Sequence, residues 1–307
     1  GIAADVKDMI RISRSRGIPF LVDEAHGAHY AFSSLFPRPV MELGADACVQ
    51  SLHKTLPALT QTALVHEGAS SHLEPGSLFK YMSMLQTTSP SYILMASIDI
   101  AREIMEKRGA ELYDALYERI RAFDRELSGI AGVKRIRPDA PGIETDFSRI
   151  VLSFEECGLS GFEAERILRE SFGIVAEMAD YYHVVFITTP FHTDDDFVAL
   201  INAIRETVRH GYGPVDDRLS FVRAPVTLPE KAMNPGDAVL KPSERIPLEK
   251  AGGRISAASV TPYPPGIPLV YPGEVISKEL AGYLAEIQRS GGRVHGIMDG
   301  RVQVVKP

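Results

Sequence analysis

Short apolar runs alternate with stretches of helical periodicity in the first third of the chain. The pattern predicts these elements: helices over Ala3 to Arg16 and Val40 to Leu43, and strands over Phe20 to Val22, Ala47 to Gln50 and Thr62 to His66. Short apolar runs bounded by turn residues are typical of strands that are buried on both faces of a parallel sheet. Strands that alternate with helices in this way predict a doubly wound, parallel α/β sheet.

The middle and the end of the chain have a different organisation. We predict a long helical stretch from Gly76 to Ile130 that is interrupted at Ser89-Pro90 and at Gly109. A smaller α+β unit follows, with these elements: strands Arg149 to Phe154, Val175 to Met178 and His183 to Thr188, and helices that begin at Ser160 and Thr193. The stretch from Arg223 to Lys250 is rich in proline and charge and is typical of a linker. We therefore expect three domains, over residues 1–107, 108–222 and 223–307.

Composition narrows the class of protein. The 307 residues carry a formal net charge of -7, and their basic residues are scattered along the chain. This charge argues against a nucleic-acid partner. The apolar runs are too short to span a membrane, and the two cysteines, Cys48 and Cys157, cannot form a disulfide framework. The composition is that of an ordinary globular protein of a reducing compartment, and we expect a cytoplasmic location.

Candidate chemistry lies where two neighbouring predicted strands end. Asp23 follows the first strand, and Lys54 follows the second in the sequence Ser51-Leu52-His53-Lys54. Ligands of open α/β sheets bind outside the carboxyl ends of the strands. A lysine beside a carboxylate suits Schiff-base chemistry on pyridoxal 5'-phosphate (PLP), with the carboxylate on the pyridine nitrogen. The spacing alone equally allows a turn acid and a surface lysine.

A zinc site and a serine-hydrolase site are two further alternatives. Asp23, His26 and His29 suggest a zinc site, but no further cluster with ligand spacing supports it. A serine hydrolase of the α/β type needs a G-x-S-x-G sequence at its nucleophile, and the chain contains none.

Four motifs resemble one known family. DEAHGAH, SLHKTLPALTQ, QTTSPSY and TPYPPGIPLVYPGE occur in this order and closely resemble the bacterial Orn/Lys/Arg decarboxylases, which are fold-type-I PLP enzymes. The sequence of the SLHKTLP motif and the compact layout of the chain are more similar to the shorter, biosynthetic arginine decarboxylase-like branch than to the long acid-stress enzymes. The resemblance implies a fold-type-I PLP-dependent transferase-like α/β fold, in which this chain supplies the C-terminal part of the large PLP-binding domain and the smaller domains.

The resemblance also implies roles for individual residues. Lys54 matches the Schiff-base lysine, and Asp23 matches the aspartate on the pyridine nitrogen. Ala25 matches the residue that packs under the ring, and Ser51 and His53 match contacts to the phosphate. We call these five residues, together with His26, the strand-end site.

The resemblance implies roles for three further residues. Thr87 and Thr88 lie where family members reach the phosphate of the neighbouring subunit, although they are also suited to cap the helix that begins near Pro90. His26 stands where some relatives carry tryptophan, and we expect it near the substrate. The expected assembly is a homodimer or a higher homo-oligomer.

The expected activity is PLP-dependent decarboxylation of a basic amino acid, with arginine favoured over lysine and ornithine, in polyamine metabolism. The family's phosphate-cradling loop would lie upstream of Gly1, so we expect an N-terminally truncated fragment whose missing part another chain could supply. The alternatives are a fold-type-I aminotransferase and a catalytically incomplete paralog with an assembly or regulatory role.

Overall fold

The structure, a computed structural model, describes residues 1–138, 143–211, 227–264 and 266–307. Its helices are α1 (Lys7–Ser15), α2 (Leu52–Thr55), α3 (Ser77–Leu85), α4 (Tyr92–Leu127), α5 (Gly161–Phe172), α6 (Asp194–Arg209), α7 (Pro235–Leu240) and α8 (Lys278–Arg289). Along these residues no helix is long and apolar enough to cross a bilayer.

The strands pair in several small sheets. They are β1 (Ile2–Ala3), β2 (Leu21–Asp23), β3 (Ala47–Ser51), β4 (Ala63–Glu67), β5 (Lys134–Arg135), β6 (Glu144–Thr145), β7 (Arg149–Ser153), β8 (Met178–Ala179), β9 (His183–Ile187), β10 (Ser243–Pro247), β11 (Thr261–Tyr263), β12 (Arg293–His295), β13 (Ile297–Met298) and β14 (Arg301–Val305). The sheet orders are β2-β3-β4, β1-β6, β5-β7-β9-β8, β10-β14-β13 and β11-β12.

The chain divides into two compact units. Unit 1 comprises Gly1–Glu126, Ile136–Ile150 and Ile187–Ala199, and unit 2 comprises Leu127–Arg135, Val151–Phe186 and Leu200–Pro307. This division does not test the expected boundaries of the three domains, which stay a prediction.

Unit 1 contains the β2-β3-β4 sheet. Strand β2 is parallel to β3, with Leu21 opposite Ala47 and Asp23 opposite Val49. A small core forms where Ile10 of α1 packs with Val40, Ala45 and Cys48. Strand β4 lies antiparallel to β3, so the prediction of a wholly parallel sheet is wrong for this strand. Only eleven residues separate β3 and β4, and the short α2 between them reverses the chain without a crossover.

Helix α4 runs through Gly109 without the interruption that we predicted. A Cβ atom at this position would lie 2.8 Å from the Cβ atom of Phe32. The glycine therefore allows the helix to approach the turn at Phe32, and its cost in helix propensity, about 1 kcal/mol relative to alanine, is tolerated within so long a helix. The short helix predicted at Val40 to Leu43 is a series of turns, and α1 begins at Lys7.

Unit 2 has its own core around α8. Val260, Val270, Ile276, Leu284 and Val302 are fully buried there. The predicted linker is wrong within residues 227–250, which form α7 and β10, and β10 pairs with β14 along its whole length. Pro235 occupies the first turn of α7, where its missing N–H costs nothing. Residues 223–226 of that predicted linker lie outside the described residues.

Candidate functional site

The ends of β2 and β3 bring the strand-end site together. The backbone N–H of Glu24 donates to the carbonyl of Val49 at 2.9 Å, and the N–H of Ser51 donates to the carbonyl of Ala25 at 3.3 Å. These bonds continue the parallel pairing past Asp23. Strand β3 then leads directly into α2, which carries Lys54. The acid and the amine therefore lie at neighbouring strand ends, as the sequence pattern predicts.

Lys54 is exposed, and its Nζ lies 3.4 Å from Nε2 of His26. An ammonium group can only donate, so Nε2 of His26 is the acceptor in this contact. His26 lies in the turn that follows β2. The structure thus places the lysine and the histidine of two separate motifs side by side.

Asp23 is anchored by one oxygen and open at the other. Its Oδ1 accepts a hydrogen bond of 2.9 Å from the backbone N–H of Ala25. Within the described residues no hydrogen bond or ion pair reaches Oδ2. Asp23 and His26 also line a cavity of about 300 Å³. One carboxylate oxygen therefore fixes the side chain, and the other is available to a ligand.

Ser51 and His53, which flank Lys54 in the sequence, differ in their hydrogen bonding. The hydroxyl of Ser51 has no partner within the described part of the chain. His53 places Nδ1 2.9 Å from the carbonyl oxygen of Thr62. A carbonyl only accepts, so Nδ1 carries the proton and Nε2 of a neutral His53 has a lone pair. His53 can therefore donate to a phosphate only as the imidazolium ion, which the sequence did not reveal.

Thr87 and Thr88 lie between α3 and α4 and are exposed. Within the described residues neither makes a hydrogen bond to the strand-end site. The alternative of a helix cap is wrong for both, because the hydroxyl of Ser91 accepts from the N–H of Leu94 at the start of α4. The structure leaves the two threonines open to another molecule.

A buried polar network lies behind the turn of His26. We call its members, His29, Asp146, Ser148 and Arg149, the Asp146 cluster. Nε2 of His29 donates to Asp146 at 3.1 Å, and the hydroxyl of Ser148 donates to the other carboxylate oxygen at 2.5 Å. Arg149 lies 3.6 Å from the same carboxylate. Sequence reasoning missed this cluster, because residues 117 positions apart meet in it.

Burial and hydrogen bonding act in opposite directions on the pKa of Asp146. Burial favours the neutral acid, whereas the bonds and charges of His29, Arg149 and Ser148 favour the carboxylate and prevail. They lower the pKa from 3.8 to about 2. Asp146 is therefore ionised at neutral pH, although its side chain is only 3% exposed.

The zinc alternative finds no support in the described residues. His26 contacts Lys54, whereas His29 is buried against Asp146. In the described ranges no group of three or more His, Cys, Asp and Glu residues is arranged to hold a metal ion.

Glu24, the neighbour of Asp23, is buried and has a structural role. Its two carboxylate oxygens accept hydrogen bonds from the N–H of Val40 at 3.0 Å and from Nε2 of Gln50 at 2.6 Å. The Oε1 of Gln50 in turn accepts from His66 at 3.0 Å. This chain of bonds joins the end of β2 to β3 and β4 directly beneath the strand-end site.

Comparison with known proteins identifies the family. Residues 1–152 match the Orn/Lys/Arg decarboxylase major domain, and residues 220–300 match the C-terminal domain of the same family. The chain is 34% identical to an arginine decarboxylase of Bacillus subtilis, over 100% of this chain and 63% of that protein. It is 33% identical to an arginine decarboxylase of Halalkalibacterium halodurans, with the same coverage of both chains. The chain thus spans about 63% of the length of these relatives.

Solved structures agree on the fold. The constitutive lysine decarboxylase of Escherichia coli superimposes with a TM-score of 0.78 at 22% identity, over 100% of this chain and 56% of that one. Lysine decarboxylase A of Pseudomonas aeruginosa gives 0.76 at 22% identity, over the same shares. The predicted fold-type-I α/β fold is confirmed. The chain belongs to the Orn/Lys/Arg decarboxylase family.

Proposed function

We propose that this chain supplies the cofactor floor and the small domains of a PLP-dependent decarboxylase that acts on a basic amino acid. The observation that carries the proposal is the placement of Lys54 and Asp23 at the neighbouring ends of β2 and β3, with His26 against the lysine. Family membership supports the same reaction class.

The groups at the strand-end site fit PLP by their chemistry. Lys54 offers an exposed amine, Asp23 an open carboxylate oxygen and Ser51 a hydroxyl without a partner in the described residues. An aldehyde, a pyridine nitrogen and a phosphate are the complementary groups. When bound, PLP supplies a carbonyl carbon that condenses with amines and a ring that accepts the electron pair of a broken Cα bond.

Each residue then has a defined task. Lys54 would hold the cofactor covalently through Nζ, and Oδ2 of Asp23 would keep a proton on the pyridine nitrogen. His26 lies close enough to Lys54 to exchange a proton with its Nζ. Ser51 would donate a hydrogen bond to the phosphate, and His53 would add a second one only in its doubly protonated form.

Arginine is the favoured substrate, followed by lysine and ornithine. Relatives from Bacillus subtilis and Halalkalibacterium halodurans, at 34 and 33% identity, are named arginine decarboxylases, whereas a constitutive lysine decarboxylase of Escherichia coli is 25% identical. The corresponding product would be agmatine, which belongs to polyamine metabolism.

We further propose that the working assembly is a homodimer or a larger homo-oligomer. The surface around Thr87 and Thr88 is strongly apolar, with Phe79 at 77%, Leu85 at 87% and Tyr92 at 78% exposure. Exposed apolar patches mark interfaces in soluble proteins. In such a dimer the two threonines would donate to the phosphate held by the partner subunit.

The first experiment asks whether Lys54 takes up the cofactor. The protein is incubated with PLP, reduced with borohydride and digested, and the modified lysine is identified by mass spectrometry. Modification of Lys54 but not of Lys80, an exposed lysine on α3, is expected. Absence of an adduct on Lys54 would overturn the proposal and favour an assembly role.

A second experiment distinguishes the reaction class. Arginine, lysine and ornithine are each supplied, and the products are separated into amine plus CO2 or keto acid. Amine from arginine supports the proposal, whereas keto acid indicates a fold-type-I aminotransferase.

A further inference from the structure

The turn that carries His26, residues 25–29, is contacted at one end by a buried carboxylate and at the other by the arginine that pairs with it. At the His29 end, Nε2 donates directly to Oδ2 of Asp146 at 3.1 Å. At the His26 end, the Nη2 atom of Arg149 lies 3.6 Å from the same oxygen and donates to the backbone carbonyl of His26 at 3.4 Å. Asp146 and Arg149 therefore contact the turn through the side chain of His29 and the backbone carbonyl of His26.

The cluster is itself firmly held. Both the backbone N–H and the hydroxyl of Ser148 donate to Oδ1 of Asp146, at 2.9 and 2.5 Å. The carbonyl of Ser148 accepts two further bonds from Thr188, at 2.9 Å from its N–H and 2.8 Å from its hydroxyl. Oδ1 of Asp146 is thus fixed by Ser148, while Oδ2 contacts the turn. A movement of the turn must therefore break hydrogen bonds in a buried site.

Aromatic packing prevents the turn from shifting sideways. The ring of His29 contacts Phe36 edge to face at a centroid distance of 4.4 Å, and Tyr30 at 4.8 Å. A Cβ atom on Gly27 would lie 2.5 Å from the Cγ atom of Glu24, so the turn is already closed as tightly as glycine permits. The turn is therefore closely packed against side chains at Gly27 and at His29.

We infer that Asp146 and Arg149 are positioning residues, which fix the turn through His29 and the carbonyl of His26 so that the ring of His26 reaches Lys54. The inference rests on the proposed function, because it gives the contact between His26 and Lys54 its purpose. Both residues are buried. Their effect on the reaction passes through the backbone of the turn.

A guanidinium group is suited to this bridge. It can donate to a carboxylate and to a backbone carbonyl at the same time, because its donors form a rigid fork. Lysine would keep the positive charge beside Asp146 but would present one ammonium group to two separated acceptors. Arg149→Lys therefore separates the charge of the cluster from the geometry of the bridge, while Arg149→Met removes both.

Hydrogen–deuterium exchange on the purified chain tests the inference without cofactor. The amides of Gly27 and Tyr30 donate within the turn, to Glu24 and Gly27 at 2.8 and 3.0 Å. In Arg149→Met we expect the peptide that contains them to exchange about tenfold faster. In Arg149→Lys we expect an increase of about threefold, because part of the contact survives. Peptides of β4 and α3 should exchange at the wild-type rate in both variants.

Arg14→Met is the matched control. Arg14 also bridges two backbone carbonyls of unit 1, those of Gly44 at 3.0 Å and Ser70 at 3.2 Å, but it does not touch the turn. It should speed exchange around residues 44 and 70 and leave the turn unchanged. Exchange of the turn that stays at the wild-type rate in Arg149→Met, or that rises equally in all peptides, would overturn the inference.

A second readout follows the contact itself. The rate at which Lys54 reacts with an amine-selective acylating reagent is measured relative to Lys80. His26→Gln defines the change that follows loss of the contact, and Arg149→Met should change the rate in the same direction and by no more. An unchanged rate in Arg149→Met, beside a changed one in His26→Gln, would also contradict the inference. Failure of Lys54 to trap PLP would instead overturn the proposed function, which the exchange pattern does not depend on.

Discussion

The strand-end site and the Asp146 cluster contact the same turn, yet they differ in burial and in how fully their charged groups are paired. Asp23 and Lys54 are exposed, and each keeps a group open to a ligand. Asp146 and Arg149 are buried, and the carboxylate of Asp146 has a partner on each oxygen. One region offers reactive groups, and the other fixes the backbone that carries them.

A shifted pKa does not by itself identify a catalytic group in this molecule. Groups with strongly shifted pKa values are often found at catalytic sites, but buried ion-pair networks shift pKa values too. Here the carboxyl whose pKa falls to about 2 is that of Asp146, which is buried and contacts a turn. Its low pKa results from the contacts that hold the protein together.

The largest effect is expected at Lys54. Lys54→Ala should abolish the PLP adduct and lower kcat by roughly a thousandfold or more, because the covalent link to the cofactor is lost. The free energy of unfolding should change by less than about 0.5 kcal/mol, because the side chain is exposed. Adduct mapping, steady-state kinetics and urea unfolding measure the three quantities. Retained activity would mean that another lysine carries the cofactor.

Asp23→Asn should have the next largest effect. The amide cannot stabilise a proton on the pyridine nitrogen as a carboxylate does, so kcat should fall by about a hundredfold. The adduct on Lys54 should still form, which separates this variant from the preceding one. Asp99→Asn, an exposed change on α4, serves as the control and should leave kcat unchanged. Equal kcat in the two variants would remove Asp23 from the proposed chemistry.

Asp146→Asn should act on stability and in a pH-dependent way. The folded-state pKa of about 2 lies below the ordinary 3.8, so the ionised carboxylate stabilises the fold by about 2 kcal/mol above pH 5. This contribution is lost as the pH falls towards 2, and about half of it should remain at pH 3. Among the charged or titratable groups that interact with this carboxylate are His29, Arg149, Tyr30 and Tyr113.

Urea unfolding of wild type and Asp146→Asn at pH 7, 5 and 3 measures this difference. It should be largest at pH 7, nearly the same at pH 5 and smaller at pH 3. A difference that grows as the solution is acidified would contradict the lowered pKa.

The smallest effect is expected far from both regions, at the start of α5. The hydroxyl of Ser160 accepts from the N–H of Glu163 at 3.2 Å, and the side chain of Glu163 accepts from the N–H of Ser160 at 2.8 Å. Ser160→Ala should cost about 1 kcal/mol of unfolding free energy. PLP trapping on Lys54 should be unaffected. A loss of trapping in this variant would mean that general stability, and not the strand-end site, limits cofactor uptake.

Several features could be predicted from the sequence because their cause is local. The capping box of Ser160 and Glu163 is confirmed, as is the start of α6 after Thr193, where Thr193 and Asp196 bond reciprocally. The positions of Asp23 and Lys54 at neighbouring strand ends follow from short apolar runs and the turn residues after them. Their catalytic roles, and those of His26, Ser51 and His53, stay predictions.

Other features depend on partners that the local pattern does not contain. The pause predicted at Gly109 is wrong, because the glycine is needed for close packing against Phe32 and its flexibility is not used to break the helix. The antiparallel direction of β4 results from the reversal of the chain at α2. The composition of a strand is the same in either direction, so it could not predict this direction.

Local sequence was enough to predict the strand ends, the caps and the motifs, since each depends on residues within a few positions of one another. The fold was needed to show that Asp146 meets His29 across 117 positions and that Arg149 meets His26 across 123. A buried carboxylate is stabilised by the hydrogen-bond donors that the fold brings to it. Contacts between residues so far apart in the chain leave no periodic pattern in the sequence. The reactive side of the turn could therefore be predicted from its residues, whereas the side that positions it required the fold.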